Sequence, residues 1–190
     1  KRIISVYEFR VKRSSAIFKG EISMRLTIDR GELISTKSDA VMVGVFEGEE
    51  NSNQFIELVN VDFKEALASL IDDGEISGRA GRSVVIHTLG LLESKRVFFI
   101  GLGDRRKYRI VDLKNAVGDA IRIVRKMNCV SLAINVASFT SENIDESMSA
   151  QLISESLLAG LYTYDFFKSE KVDNPLTNIK FFSAEAGSED

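Results

Sequence analysis

Lys95-Arg96-Val97-Phe98-Phe99-Ile100-Gly101-Leu102-Gly103 decides the fold class of this chain. A basic pair opens it, four large apolar residues follow, and Gly-Leu-Gly closes it. Four consecutive β-branched and aromatic residues fit a strand buried on both faces, the habit of a sheet covered by helices above and below. The glycines fit a strand end where the backbone turns tightly or approaches something closely. A helical pattern starts a few residues later, and this strand, turn, helix grammar recurs along the chain.

Working outward, Leu113, Ala116, Val117, Ala120, Ile121 and Val124 carry the clearest helical spacing. Lys114, Asp119, Arg122 and Arg125 lie on the opposite face. Cys129 to Val136 is an apolar strand. Ser141 to Tyr162 reads as one long helix, with Ile144, Met148, Leu152, Ile153, Leu157, Leu158 and Leu161 turned inward. After it come Tyr164-Asp165-Phe166-Phe167-Lys168, Pro175, a late strand from Leu176 to Phe182, and a small polar tail. Upstream, Arg82 to Leu89 is a strand that can pair with 95–101 as a hairpin across Glu93-Ser94. Phe63, Ala66, Leu67, Leu70 and Ile71 mark a short helix. Asp62 and Glu65 form a capping-box pair at its start, and Gly74 suits its stop. Ala40 to Phe46 is nearly all apolar, as a central strand should be. Glu21 to Asp29 alternates, as a half-buried one should. Glu47 to Asn53 reads as an exposed acidic loop. The order β-β-α-β-β-α-β-α-β predicts an α/β fold, with helices on both faces of a mixed, mostly parallel sheet.

Residues 1–23 stand apart as a basic segment. Three readings are open for it: an extra edge strand built on Ile4 to Val11, which we favour, a basic targeting or interaction arm, or vector-derived sequence. Met24 offers a native start. Residues 24–182 form the predicted domain, and 183–190 a polar tail or the start of an interdomain linker.

The bulk numbers narrow the function. The chain has 190 residues, enough for one domain with a complete core, and its 44% hydrophobic and 28% charged content is that of a globular protein. A net charge of −3 gives no general case for nucleic acid or an anionic membrane. No apolar run is long enough to form a transmembrane helix. The single cysteine, Cys129, excludes an intrachain disulfide and reads as a small core residue. His87, the one histidine, reads as structural, and one Cys with one His cannot build a typical zinc site. There is no G-x-S-x-G sequence, and the Asp72-Asp73 and Glu49-Glu50 pairs fit solvated positions. We therefore expect no catalytic and no metal-ligating residue here. Gly101, Gly103 and Arg105 form a weak candidate for a phosphate loop: glycine amides would meet the oxygens, and the run Arg105-Arg106-Lys107 would supply charge. The third glycine of a dinucleotide fingerprint is missing, since Arg106 fills its place. A tight turn with a solvated basic loop is the plainer account.

Four stretches, in order, carry a resemblance: Ser38 to Glu47, Gly78-Arg79-Ala80-Gly81-Arg82, Arg96 to Gly103, and Glu155-Ser156-Leu157-Leu158-Ala159-Gly160-Leu161-Tyr162-Thr163-Tyr164-Asp165-Phe166-Phe167-Lys168. Together they resemble the N-terminal domain of the leucyl (cytosol) aminopeptidases, the M17 metallopeptidases. The resemblance implies a macro-domain-like three-layer α/β/α sandwich preceding a separate C-terminal catalytic domain. That domain would hold two divalent metal ions, zinc or manganese, which activate water to remove N-terminal residues from peptides. It also implies a cytoplasmic protein and a homo-oligomer, commonly a hexamer, in which this domain serves assembly and access to the active sites. The family's Asn-Thr-Asp-Ala-Glu-Gly-Arg stretch is absent from these residues, so peptide substrates would bind elsewhere. The chain is then expected to be a piece of a longer protein or a truncated product, inactive alone. The second reading is a free-standing macro-like module binding a nucleotide or an ADP-ribose-type ligand near Gly101 to Gly103. Some bacterial members of the family bind DNA, and the basic segments 1–20 and 105–109 leave that as a minor third reading against the acidic balance.

Overall fold

The structure is a computed structural model that describes residues 3–15, 18–29, 31–59, 61–161 and 176–183, with backbone alone for 3–23, 61, 62 and 161. Its seven strands are β1 (Ile3–Ser15), β2 (Phe18–Asp29), β3 (Ala40–Phe46), β4 (Ser83–His87), β5 (Arg96–Gly103), β6 (Ser131–Asn135) and β7 (Asn178–Phe182). The helices are α1 (Gln54–Leu58), α2 (Val61–Asp72), α3 (Ile110–Lys126) and α4 (Glu146–Leu161). The sheet runs β1-β2-β7-β6-β3-β5-β4. Its four inner pairings are parallel, and β1 and β4 lie antiparallel at the two edges.

The alternation of each inner strand sorts its side chains between two cores. Met42, Phe46, Phe98, Ile100, Leu132, Ile134 and Ile179 join Leu113, Val117, Ile121, Ile153 and Leu157 of α3 and α4. Val41, Val43, Val45, Val97, Phe99 and Ala133 join Phe55 and Ile56 of α1 and Phe63 and Leu67 of α2. This is the two-faced burial that the 95–103 stretch predicts, and the architecture is α/β/α. All seven residues of β3 are buried.

Several expectations hold and several shift. β4 and β5 form the predicted hairpin, Ser83 opposite Ile100 and His87 opposite Arg96. The segment from Ile3 is an edge strand, paired antiparallel with β2 from Ile3 opposite Asp29 to Ser15 opposite Phe18. α2 stops at Gly74, whose φ of 73° only glycine adopts at no cost. The long helix predicted from Ser141 begins instead at Glu146. Asp145 accepts a 2.7 Å hydrogen bond from the Met148 amide, and Ser141 and Ile144 close a bridged turn before it. Ile144 is buried from that turn, whereas Met148, expected inside, is partly exposed. α1 is absent from the sequence reading; Asn53 at its start was the available signal. Cys129 is buried, and burial pushes its thiol up. His87 lies exposed at the end of β4. The Asp62 side chain of the predicted capping box, Tyr162 to Lys168, Pro175 and the tail from 184 lie outside the described residues.

At the amino ends of the inner strands, Asp39 ties three of them together. Its Oδ2 accepts from the amides of Val130 (2.9 Å) and Ser131 (3.1 Å), and its Oδ1 from Lys95 Nζ (2.6 Å). Burial by itself would raise this carboxyl. The Lys95 ammonium and the two amides outweigh it and hold it at about 2, below the usual 3.8. Close by, the Ser38 and Ser94 hydroxyls meet at 2.8 Å and Ser94 donates to Thr36 O. At the other end, residues 77–82 pack against the carboxyl end of β5, accepting hydrogen bonds from Gly101 N and Gly103 N. A Cβ on Gly78 would come within 2.2 Å of Phe46 backbone, and one on Gly101 within 2.1 Å of Arg79 O.

Two outcomes follow from these contacts. Gly78→Ala must push a strand end aside and is expected to cost about 2–3 kcal/mol in urea unfolding; a loss near zero would show that the 77–82 segment yields freely. Because the folded pKa of Asp39 is depressed, its contribution is complete above about pH 4 and fades as pH falls toward 2. Native protein should therefore exceed Asp39→Asn by about 1–2 kcal/mol at neutral pH, and the gap should close in acid. A gap that does not vary with pH would refute the assignment.

Candidate functional site

The chain leaves β3 toward α1 and α2 on one face, and leaves β5 through α3 on the other to reach β6. These connections diverge at the carboxyl end of β3, the kind of switch point where open α/β sheets form a crevice. A cleft of about 290 Å³ lies there, lined among others by Phe46, Glu49, Gln54, Arg105, Asn135 and Thr140.

The cleft exists because β6 leaves β3 early. Their pairing ends at Met42 opposite Ile134, which strips Gly44 of a strand partner on that side. Two side chains replace it. Ser138 Oγ accepts from the Gly44 amide at 2.8 Å, and Asn53 Nδ2 donates to Gly44 O at 2.8 Å. Asn53 Oδ1 also accepts from Phe55 N at 3.0 Å, so one amide caps both α1 and the end of β3. Gly44 has to be glycine, since a Cβ would stand 2.7 Å from Ser138 O.

Arg105 forms one wall. Its guanidinium lies over the Phe46 ring at 3.9 Å and donates through Nη1 to Thr140 O at 2.6 Å. Its Nε donates to the Glu49 carboxylate at 2.9 Å, and Nη2 lies 2.8 Å from Glu49 Oε2. Phe46 is also held edge-on by Tyr108, whose rings meet at 5.0 Å; burial, then the nearby Asp112 carboxylate, push the Tyr108 hydroxyl well up. The two neighbouring acids of the same loop turn to residues 78–79 instead: Glu47 pairs with Arg79 at 3.5 Å, and Glu50 accepts from Gly78 N.

The three residues of the glycine-loop candidate do not act as one unit. Gly101 N donates to Arg82 O and Gly103 N to Gly78 O, both at 2.7 Å, so both amides serve the 77–82 segment. Gly103 takes a φ of 82°. Arg105 alone reaches the cleft. The sequence reading missed Glu49, Asn53 and Ser138. Asn53 before Gln54-Phe55-Ile56 was a legible cap, whereas Glu49 and Ser138 gave no local signal. Among the described residues no three His, Cys, Asp or Glu side chains gather where they could hold a metal ion, and no described helix is long and apolar enough to cross a membrane.

A three-layer sandwich with this strand order is macro-like, and solved structures bear that out. An Oceanobacillus iheyensis macrodomain mutant superposes with a TM-score of 0.64 at 11% identity, covering 95% of this chain and 91% of its own. A tomato leucine aminopeptidase mutant gives 0.64 at 17% identity, covering 86% of this chain and 33% of its own. The bottromycin maturation enzyme BotP gives 0.56 at 20% identity, covering 78% and 28%. At these identities the likeness is one of fold, and this chain spans about a third or less of the last two proteins. The sequence itself matches the cytosol aminopeptidase family, N-terminal domain, over residues 42–171. That is more than half of the chain, and the chain belongs to this family.

The double duty of Asn53 is open to measurement. Asn53→Ala removes a helix cap and the partner of a strand carbonyl and should cost about 2 kcal/mol in chemical denaturation. Asn53→Asp keeps the cap and loses the donor to Gly44 O, so it should fall between Ala and native. Equal losses for both variants would mean that the cap carries nothing.

Proposed function

We propose that residues 24–182 are the non-catalytic N-terminal domain of a leucyl-type metalloaminopeptidase, and that the domain works through protein contacts, in assembly and in access to the active sites. The observation that carries this reading is the family match across residues 42–171. The parent would remove N-terminal residues from peptides in the cytoplasm as a homo-oligomer, a hexamer in the usual pattern. Its two divalent ions, zinc or manganese, would belong to the catalytic domain. The described residues here do not fit them, since no set of ligating side chains converges, and no chemical step is assigned to this chain.

A second reading has its own support. The macrodomain likeness in fold gives some weight to the alternative of a macro-like module for a nucleotide or an ADP-ribose-type ligand. Two features of the cleft weigh against it. The Gly101 and Gly103 amides are already engaged, and Glu49 occupies the guanidinium that would receive a diphosphate. Nucleic acid binding has the net charge of −3 against it.

Hydrolysis of leucine p-nitroanilide with added Mn²⁺ or Zn²⁺ separates the readings. The 190-residue chain is expected to be silent. A longer product of the same gene carrying a catalytic domain is expected to turn over. Metal-dependent turnover by the chain itself would overturn the proposal. Titration of the chain with ADP-ribose, giving saturable heat, would favour the second reading.

A further inference from the structure

We propose that the cleft at the end of β3 is a carboxylate-binding site, with the Arg105 guanidinium as receptor and Glu49 as an internal occupant that a peptide-borne carboxylate displaces. The inference goes beyond the aminopeptidase reading and does not depend on it.

Arg105 is held in place without Glu49. Its guanidinium plane rests on the buried Phe46 ring, and one nitrogen is tied to the Thr140 carbonyl. The remaining edge, Nε with Nη2, is the fork that matches a carboxylate with two parallel hydrogen bonds. Glu49 lies on that edge, both its oxygens 2.9 Å from Nε. The receptor is thus built and oriented, and the loop fills it with the chemistry it is shaped for.

The occupant is the weakly held half. The two side chains are 39% and 40% exposed, so water competes for the pair and its contribution is small. Among the described residues the Glu49 carboxylate has no hydrogen-bond donor besides Arg105. The Glu49 backbone is held by hydrogen bonds to Phe46 O and from Ser52 N, but its side chain is open to water and can rotate off the guanidinium with the backbone in place.

The surroundings choose the ligand class. The side-chain amides of Gln54 and Asn135 line the cleft and make no hydrogen bond among the described residues. Both are able to hydrogen-bond the peptide group next to an incoming carboxylate. A singly charged carboxylate replaces Glu49 charge for charge. A diphosphate would bring more than the single negative charge that Glu49 gives up. Two sources share the favoured chemistry: the free carboxyl end of a chain, and an acidic side chain.

The test uses the 190-residue chain labelled with ¹⁵N, following the Arg105 Nε–H resonance. The probes are N-acetyl-trialanine, its C-terminal amide, and N-acetyl-Ala-Glu-Ala amide. In Glu49→Gln the receptor is free, and a carboxylate probe should bind about tenfold more tightly than to native protein. Arg105→Lys keeps the charge and loses the fork, and should abolish that gain. Binding of N-acetyl-trialanine alone assigns chain ends, and binding of N-acetyl-Ala-Glu-Ala amide alone assigns acidic side chains; either supports the site. The uncharged trialanine amide should leave the resonance unmoved. The proposal is overturned if that amide binds as well as the acid, if Glu49→Gln binds no more tightly than native, or if inorganic pyrophosphate binds native protein better than either carboxylate. Peptidase assays play no part in this readout, so its failure leaves the aminopeptidase reading untouched.

Discussion

The rest of the structure depends on the burial of β3 from both faces and along both edges. Its seven residues carry no polar side chain. Helices cover it above and below, and β5 and β6 run parallel to it on either side. A strand this enclosed cannot use water for its backbone groups, so every unpaired amide or carbonyl at its ends requires a partner from the protein. The polar machinery of the domain is found at those two ends.

At the amino end the demand is met by a charge. Asp39 collects the first amides of β6 and the ammonium that precedes β5, and so fixes three strands at one level. At the carboxyl end it is met by neutral side chains. Ser138 and Asn53 serve Gly44 where β6 turns away. Residues 77–82 serve Gly101 and Gly103 on the other side. Closing the β5 half of the rim in this way leaves the β6 half as the open crevice. The glycines that look like a ligand loop are used up by the closure, and the arginine just beyond them lines the crevice.

Much of the fold was legible because its signals are local. Burial on two faces writes continuous apolar runs such as Val97 to Ile100, and burial on one face of a helix writes the spacing from Leu113 to Val124. The hairpin of β4 and β5 follows from two such runs across a polar turn. The errors are local too. The start of α4 was misplaced because Ile144 is buried from a turn, and periodicity does not distinguish that from a helix. α1 is too short to show a period, and only Asn53 marked it.

Sequence alone determined which segments are strands and helices, which faces they bury, and to which family the resemblance points, because propensity and hydrophobic period act between neighbours in the chain. Only the tertiary structure decided what the glycines and Arg105 do. Gly101 donates to Arg82 O and leaves no room for a Cβ beside Arg79 O, and Arg105 meets Glu49 and Thr140, residues far from it along the chain. Such contacts are set by where parallel strands end relative to one another. No residue encodes that offset by itself; the packing of helices on both faces of β3 produces it.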